Sequence, residues 1–263
     1  MKKYLGQHFL VNKNAVTQII EALELKERET VIEIGPGRGA LTFDLARIGA
    51  KVIAIEKDEE LANWLINEVA NWKNVEITKG DALKILPQLI DSESQSIECR
   101  VVGNIPYYIT GKLLRVLSEL KKKPGIVVLT IQREVAERIV AKPPKMNLLA
   151  AITQFWAETE IISYLKPEDF NPVPEVHSAI IKLKPKIMTY DVVNFKPEDY
   201  FEFVKILFKQ PRKTILNNLR DGLGSPKEEI FKILEKNEIK ENERAQNLGV
   251  ERIVDLAVNF IFR

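Results

Sequence analysis

The chain reads as an α/β protein in which a doubly wound, mostly parallel Rossmann-like sheet is followed by a small all-helical C-terminal domain. Three observations predict this. Short apolar, β-branched runs alternate with segments whose apolar residues recur every three or four positions, the pattern of strands joined by amphipathic crossover helices. A glycine-rich turn follows the first such strand, where doubly wound folds place a ligand. After Lys184-Pro185-Lys186 the strand pattern stops and only helical spacing remains. The expected domains are therefore 1–184 and 185–263.

Helical spacing opens the chain at 13–24, and the apolar run 31–35 is the first strand of the expected sheet. The order continues with a helix at 39–48, a strand at 51–56, a helix at 59–71 and a strand at 75–78. Strands at 100–103 and 125–131 flank a helix at 111–120, and a helix at 133–140 comes next. The long apolar stretch 152–165 and the run 178–183 complete the expected strands. Beyond them, 197–219, 226–235 and 244–262 read as helices, each with an apolar stripe.

Composition narrows the class of protein. In 263 residues, 45% are hydrophobic and 29% charged, an ordinary folded composition. Cys99 is the single cysteine, so no intramolecular disulfide forms, and two histidines give no zinc site of the usual spacing; no metal is expected. No run of about 18 apolar residues occurs, and the first residues are too polar for a secretory signal; a cytoplasmic protein with no membrane partner is expected.

The net charge is only +2, but it is unevenly spread. Residues 100–150 carry ten Lys and Arg against three acids, and 205–220 carry five against none. Residues 221–251 reverse the balance, with eight acids and five bases. The basic stretches suit a polyanionic partner, with solvated helix faces as the alternative. Lys112, Arg115, Arg133, Arg138, Lys209, Arg212 and Lys213 are the candidate contacts to such a polyanion.

Four motifs carry chemistry. Glu33-Ile34-Gly35-Pro36-Gly37-Arg38-Gly39 lies between a strand and a helix, where glycines let a ligand approach the backbone. Its G-x-G-x-G spacing departs from the dinucleotide fingerprint G-x-G-x-x-G, which weakens a dehydrogenase reading. Glu56 closes the next strand and can accept from both hydroxyls of a ribose, or serve as a solvated strand cap. Asp81, in Gly80-Asp81-Ala82, can accept from an adenine amino group or be an ordinary turn residue. Asn104-Ile105-Pro106-Tyr107 combines an amide, a rigid turn and an aromatic ring. An exocyclic amine such as adenine N6 is a poor nucleophile because its lone pair is delocalised. The Asn104 oxygen and the Ile105 carbonyl can take its hydrogens and favour a pyramidal nitrogen, while Tyr107 offers a stacking face. A structural Asn-Pro turn is the competing reading.

With these motifs in order, the sequence resembles the ribosomal RNA adenine N6-dimethyltransferases of the kasugamycin-sensitivity type. The resemblance extends to Leu5-Gly6-Gln7-His8-Phe9-Leu10, to Gln132-Arg133-Glu134-Val135-Ala136-Glu137-Arg138, to the segment from Phe170 to Ser178, and to Arg212-Lys213-Thr214-Ile215-Leu216-Asn217-Asn218-Leu219. It implies a class I methyltransferase sheet and S-adenosylmethionine as cofactor. His8 and Leu10 would close over that cofactor, Gly35 approach its methionine part, Glu56 bind its ribose and Asp81 its adenine, with Gly37 and Ala82 as further cofactor contacts. Asn104 would reach both cofactor and target, with Ile105, Pro106, Tyr107 and Phe170 completing the catalytic set and Phe170 supplying a second stacking face.

The implied reaction converts two adjacent adenosines in the 3′-terminal hairpin loop of small-subunit (16S) ribosomal RNA to N6,N6-dimethyladenosine during ribosome assembly. The partners would be that RNA and the assembling small subunit, met by a monomer. A resistance methylase of large-subunit RNA and an assembly factor acting mainly as an RNA-binding scaffold remain alternatives. Two segments depart from the family: Lys142-Pro143-Pro144-Lys145-Met146-Asn147 replaces a glycine-containing loop, and Pro211 stands where the family has arginine.

Overall fold

The computed structural model describes residues 7–26, 29–91, 99–186 and 195–261. In chain order the elements are β1 (Phe9–Leu10), α1 (Lys13–Ala22), β2 (Thr30–Ile34), α2 (Thr42–Arg47), β3 (Lys51–Glu56), α3 (Glu59–Glu68), β4 (Val75–Lys79) and α4 (Ala82–Asp91). They continue with β5 (Cys99–Asn104), α5 (Thr110–Glu119), β6 (Ile126–Gln132), α6 (Arg133–Ile139), α7 (Leu148–Trp156), β7 (Ala157–Leu165), β8 (Phe170–Asn171) and β9 (Ser178–Pro185). Four helices follow: α8 (Pro197–Leu207), α9 (Ile215–Leu223), α10 (Lys227–Lys236) and α11 (Val250–Ile261).

Strands β2, β3, β5 and β6 are predominantly apolar because both of their faces are covered, and each is buried along nearly its whole length. The seven-stranded sheet has the order β4-β3-β2-β5-β6-β9-β7. From β4 to β6 every pairing is parallel, and β9 returns antiparallel to β6 with Ser178 opposite Gln132. Parallel pairing brings the carboxyl ends of β2 to β6 to one edge. At β2 the winding reverses, since its neighbours are β3 on one side and β5 on the other, and ligands bind outside such a switch point. A separate two-stranded ladder pairs Leu10 with Phe170.

Two compact units divide the chain: residues 1–136 with 158–185, and residues 137–157 with 186–263. The second unit differs from the expected 185–263 by the addition of 137–157, because α7 packs on α8 and α11. Within it, Tyr200 stacks on Phe155 with centroids 3.9 Å apart and donates its hydroxyl to the Ala151 carbonyl. Helix α11 buries Val250, Ile253, Val254, Leu256, Ala257 and Phe260 on one face.

Three expectations need correction. The stretch 152–165 is not one strand: its first part belongs to α7, capped by the Asn147 side chain, and only Ala157–Leu165 is extended. The helix expected at 197–219 breaks after Leu207, where Pro211 removes a donor and Thr214 starts a new helix by capping Asn217. That expected at 244–262 begins only at Val250. Helix α4 was not foreseen.

Candidate active site

Strand β2 runs into a turn in which Gly35 and Gly37 adopt φ of +66° and +57°, a region that glycine enters without penalty. A Cβ on Gly37 would also lie 2.8 Å from the Phe9 ring, so both the dihedral and the space require glycine there. The Gly35 N–H donates to the Ile55 carbonyl at 2.9 Å, tying the turn to β3.

Two buried carboxylates stand beside this turn. Glu56, at the end of β3, is 5% exposed; its Oε2 accepts from the Gly37 N–H at 3.0 Å and its Oε1 from the Asp58 N–H at 2.8 Å. Burial raises its pKa, and the backbone donors of Asp58, Gly37 and Lys57 oppose the rise. Each carboxylate oxygen retains a lone pair for a ligand hydroxyl. Glu33, inside β2, is 1% exposed and accepts the Thr42 hydroxyl at 2.6 Å. Burial, aided by the nearby Glu56 charge and opposed by Thr42, pushes its carboxyl up to about 7. Sequence reasoning did not single out Glu33; its signal was the lone charge in the otherwise apolar run Val31-Ile32-Glu33-Ile34.

A cavity of about 240 Å³ opens over this edge, bounded by His8, Leu10, Glu33, Gly35, Gly37, Glu56 and Asn104-Ile105-Pro106-Tyr107. A smaller one of about 60 Å³ is bounded by Gly35, Glu56, Lys57, Asp81, Ala82, Pro106 and Tyr108. Gly35, Glu56 and Pro106 line both, so Glu56 stands at the junction of two recesses. In the smaller one, Asp81 Oδ2 accepts from Lys57 Nζ at 2.9 Å and Oδ1 from the Leu83 N–H at 3.0 Å. The Lys57 hydrogen bond is the chief reason that the Asp81 carboxyl lies below its usual value and stays ionised.

Across the larger cavity, Asn104 donates its Nδ2 to the His8 carbonyl at 2.7 Å. A carbonyl only accepts, so this contact orients the amide and leaves Oδ1 as its acceptor end. His8 Nδ1 donates to the Pro172 carbonyl at 2.8 Å by the same argument, and the His8 ring stacks near Tyr107 with centroids 6.0 Å apart. Tyr107 is fixed in turn by a 2.7 Å hydrogen bond between its hydroxyl and Ser178 Oγ.

The structure thus brings together His8, Leu10, Gly35, Gly37, Glu56, Asn104, Ile105, Pro106 and Tyr107, with Asp81 and Ala82 in the adjoining recess. Phe170 is placed otherwise. It is 2% exposed, packed in the core with Leu10 and Leu165, and absent from the lining of either cavity. Its expected stacking face is covered in this conformation. Lys112, Arg115 and Arg133 lie exposed on the first unit, with Arg115 paired to Glu119 at 2.8 Å. On the second unit Arg138 is exposed, and so are Lys209, Arg212 and Lys213, which occupy the turn between α8 and α9 rather than a helix face. That turn is held by Asn218, whose side chain bonds both the N–H and the carbonyl of Gln210.

The sheet order, the glycine turn and the acid at the end of the second long strand define a Rossmann-like methyltransferase. The chain belongs to the ribosomal RNA adenine dimethylase family, whose model it matches over residues 1–257. It is 37% identical over 260 residues to the ribosomal RNA small subunit methyltransferase A of Dehalococcoides mccartyi strain CBDB1, covering 98% of this chain and 88% of that protein. The Thermotoga maritima protein of the same name is 39% identical over 258 residues, covering 97% and 84%. Among solved structures, a dimethyladenosine transferase from Plasmodium falciparum superposes with a TM-score of 0.81 at 26% identity, covering 97% of this chain and 98% of that one. The 23S rRNA methyltransferase ErmE shares the fold, with a TM-score of 0.75 at 24% identity and coverage of 95% and 98%. Among the described residues no helix is long and apolar enough to cross a membrane.

Proposed function

We propose that this protein transfers methyl groups from S-adenosylmethionine to N6 of two adjacent adenosines in the 3′-terminal hairpin loop of small-subunit ribosomal RNA. The observation that carries the reading is the pairing of a divided cavity, with buried Glu56 at its junction, with an oriented Asn104 amide on its wall. The residues present fit the cofactor. Glu56 offers lone pairs for ribose hydroxyls, ionised Asp81 an acceptor for an adenine amine, and Glu33, on the wall of the larger cavity, a carboxyl that a cationic ammonium would hold ionised.

When bound, the cofactor supplies a methyl group already activated on a sulfonium. The protein's own work is to bind, orient and dehydrate. Asn104 Oδ1 accepts an N6 hydrogen and favours the pyramidal nitrogen, while Pro106 fixes the turn and Tyr107 presents a face to the extruded base. The N6 proton, made more acidic by alkylation, leaves to solvent. Phe170 becomes the second stacking face only if its ring is uncovered, since it is 2% exposed in this conformation. The exposed basic residues, from Lys112 to Lys213, bind phosphates of RNA in the assembling small subunit, in the cytoplasm and as a monomer.

The test is nucleoside mass analysis of unmethylated small and large ribosomal subunits, incubated separately with the protein and S-adenosylmethionine. N6,N6-dimethyladenosine in the small subunit alone is the expected result. Methylation of the large subunit would replace the reading with a resistance-type enzyme, and binding without transfer would replace it with a scaffold.

A further inference from the structure

The catalytic turn ends in two consecutive tyrosines that border different recesses. Tyr107 lines the larger cavity of about 240 Å³ and not the smaller, whereas Tyr108 lines the smaller one of about 60 Å³ and not the larger. Both belong to one short 3-10 turn, Tyr107–Ile109, in which successive side chains stand about a third of a revolution apart, so a single segment reaches two recesses. The Tyr107 hydroxyl is tied to Ser178 Oγ at 2.7 Å, while Tyr108 is 57% exposed. An exposed tyrosine by itself calls for no explanation; its place on a recess does. Beside it in that recess Asp81 Oδ2 accepts from Lys57 Nζ at 2.9 Å, and Lys57 lies within electrostatic reach of the Tyr108 hydroxyl. Much of the remaining lining is apolar, from Ile34, Ile55, Ala82 and Ile109.

Apolar walls, an aromatic ring and an ionised carboxylate complement a purine, which has two apolar faces and, in adenine, an exocyclic amine on its edge. A phosphate would meet the Asp81 carboxylate, and the target base has its own acceptor in Asn104, which lines only the larger cavity. We propose that Tyr108 is a further cofactor-binding residue, whose ring covers one face of the cofactor's adenine. The two tyrosines then divide the two adenines of the reaction, Tyr107 taking the target base and Tyr108 that of the cofactor. Pro106 lines both recesses, so one rigid turn carries both stacking faces. The proposal rests on the reading of S-adenosylmethionine as the cofactor.

Calorimetric titration of S-adenosylmethionine, and of 5′-methylthioadenosine, which keeps the adenosine and lacks the amino-acid part, into the wild type, Tyr108→Ala and Tyr108→Phe tests it. With the stacking face removed, Tyr108→Ala is expected to bind both ligands roughly tenfold more weakly. Tyr108→Phe should stay within about twofold of the wild type for both, since the ring face rather than the hydroxyl is at issue. At saturating cofactor, the KM of Tyr108→Ala for unmethylated small subunits should also stay within about twofold. Wild-type affinity of Tyr108→Ala for both ligands would overturn the proposal while leaving the enzyme reading intact, and so would a loss confined to S-adenosylmethionine or one shared equally by Tyr108→Phe. A raised KM for subunits with cofactor affinity unchanged would overturn it too, by placing the ring on the RNA. A wild type that binds neither ligand would instead remove the cofactor reading and this proposal with it.

Discussion

Glu33 and Glu56 are 1% and 5% exposed and are held by a hydroxyl and by backbone N–H groups, whereas Lys209, Arg212 and Lys213 sit exposed in the turn between α8 and α9. The first region works in a buried pocket, where desolvation raises the proton affinity of both carboxyls and single contacts fix their side chains. The second works in water, where an ion pair such as Lys213 with Asp221 at 2.9 Å is worth little and salt screens it. The difference teaches that the cavity is built for geometry and the basic turn for attraction. One should be sensitive to single atoms and the other to ionic strength.

The largest effect that would break this contrast concerns Asn104. Its replacement by Ala removes the oriented acceptor, and methyl transfer should fall about 10²- to 10³-fold while RNA binding stays nearly unchanged. Equal loss of both, measured by transfer and by subunit binding on the same preparations, would deny the residue a role in the chemistry.

Glu33 comes next. Its carboxyl, ordinarily near 4.5, is raised to about 7 in the folded protein, so the folded state prefers the protonated form. The stability this contributes is complete below about pH 4.5 and is lost as pH rises through about 7, in total on the order of 3 kcal/mol. Glu33→Gln, which keeps an acceptor for Thr42, should therefore be more stable than the wild type at about pH 8, with the advantage vanishing toward pH 4.5. Chemical denaturation of the ligand-free protein at both pH values checks the sign.

Glu56→Ala should weaken S-adenosylmethionine binding about 10- to 100-fold, since hydrogen bonds to charged groups are worth about 1.5 to 3 kcal/mol each and the Gly37 N–H loses its partner as well. An affinity within twofold of the wild type would show that the ribose is bound elsewhere. The smallest effects belong to the basic turn. Arg212→Ala or Lys213→Ala should each lower the slope of log affinity against log salt by about 1, and a slope unchanged by either would remove the turn from the RNA contacts.

Much of the first region was legible in the chain. The glycine turn, Glu56, Asp81 and Asn104 fall at the carboxyl ends of consecutive parallel strands, and local pattern reports that arrangement because each strand is a short apolar run bounded by a polar residue. Glu33 escaped because nothing local says whether an acid in a strand faces water or a cavity. The stretch Leu148–Trp156 is apolar apart from Thr153 and Gln154, too few polar residues to mark a helix face plainly, and its helix packs on α8 and α11. The expected helix 197–219 ran through Pro211, a residue that breaks helices, and the turn around it depends on Asn218 reaching back to Gln210, a contact that spacing does not show. The ladder that holds Phe170 pairs Leu10 with Phe170 and Phe9 with Asn171, positions 160 and 162 apart, and at two residues it is too short for any periodicity.

The contrast is tested most directly by calorimetric titration of S-adenosylmethionine, set beside subunit binding, at about 50 and 200 mM salt. The expected result is a cofactor affinity that changes by no more than about twofold while subunit affinity falls by orders of magnitude. A cofactor affinity that falls as steeply as subunit binding would contradict the account, because the pocket around Glu33, Glu56 and Asn104 would then be recognising its ligand through screened charge.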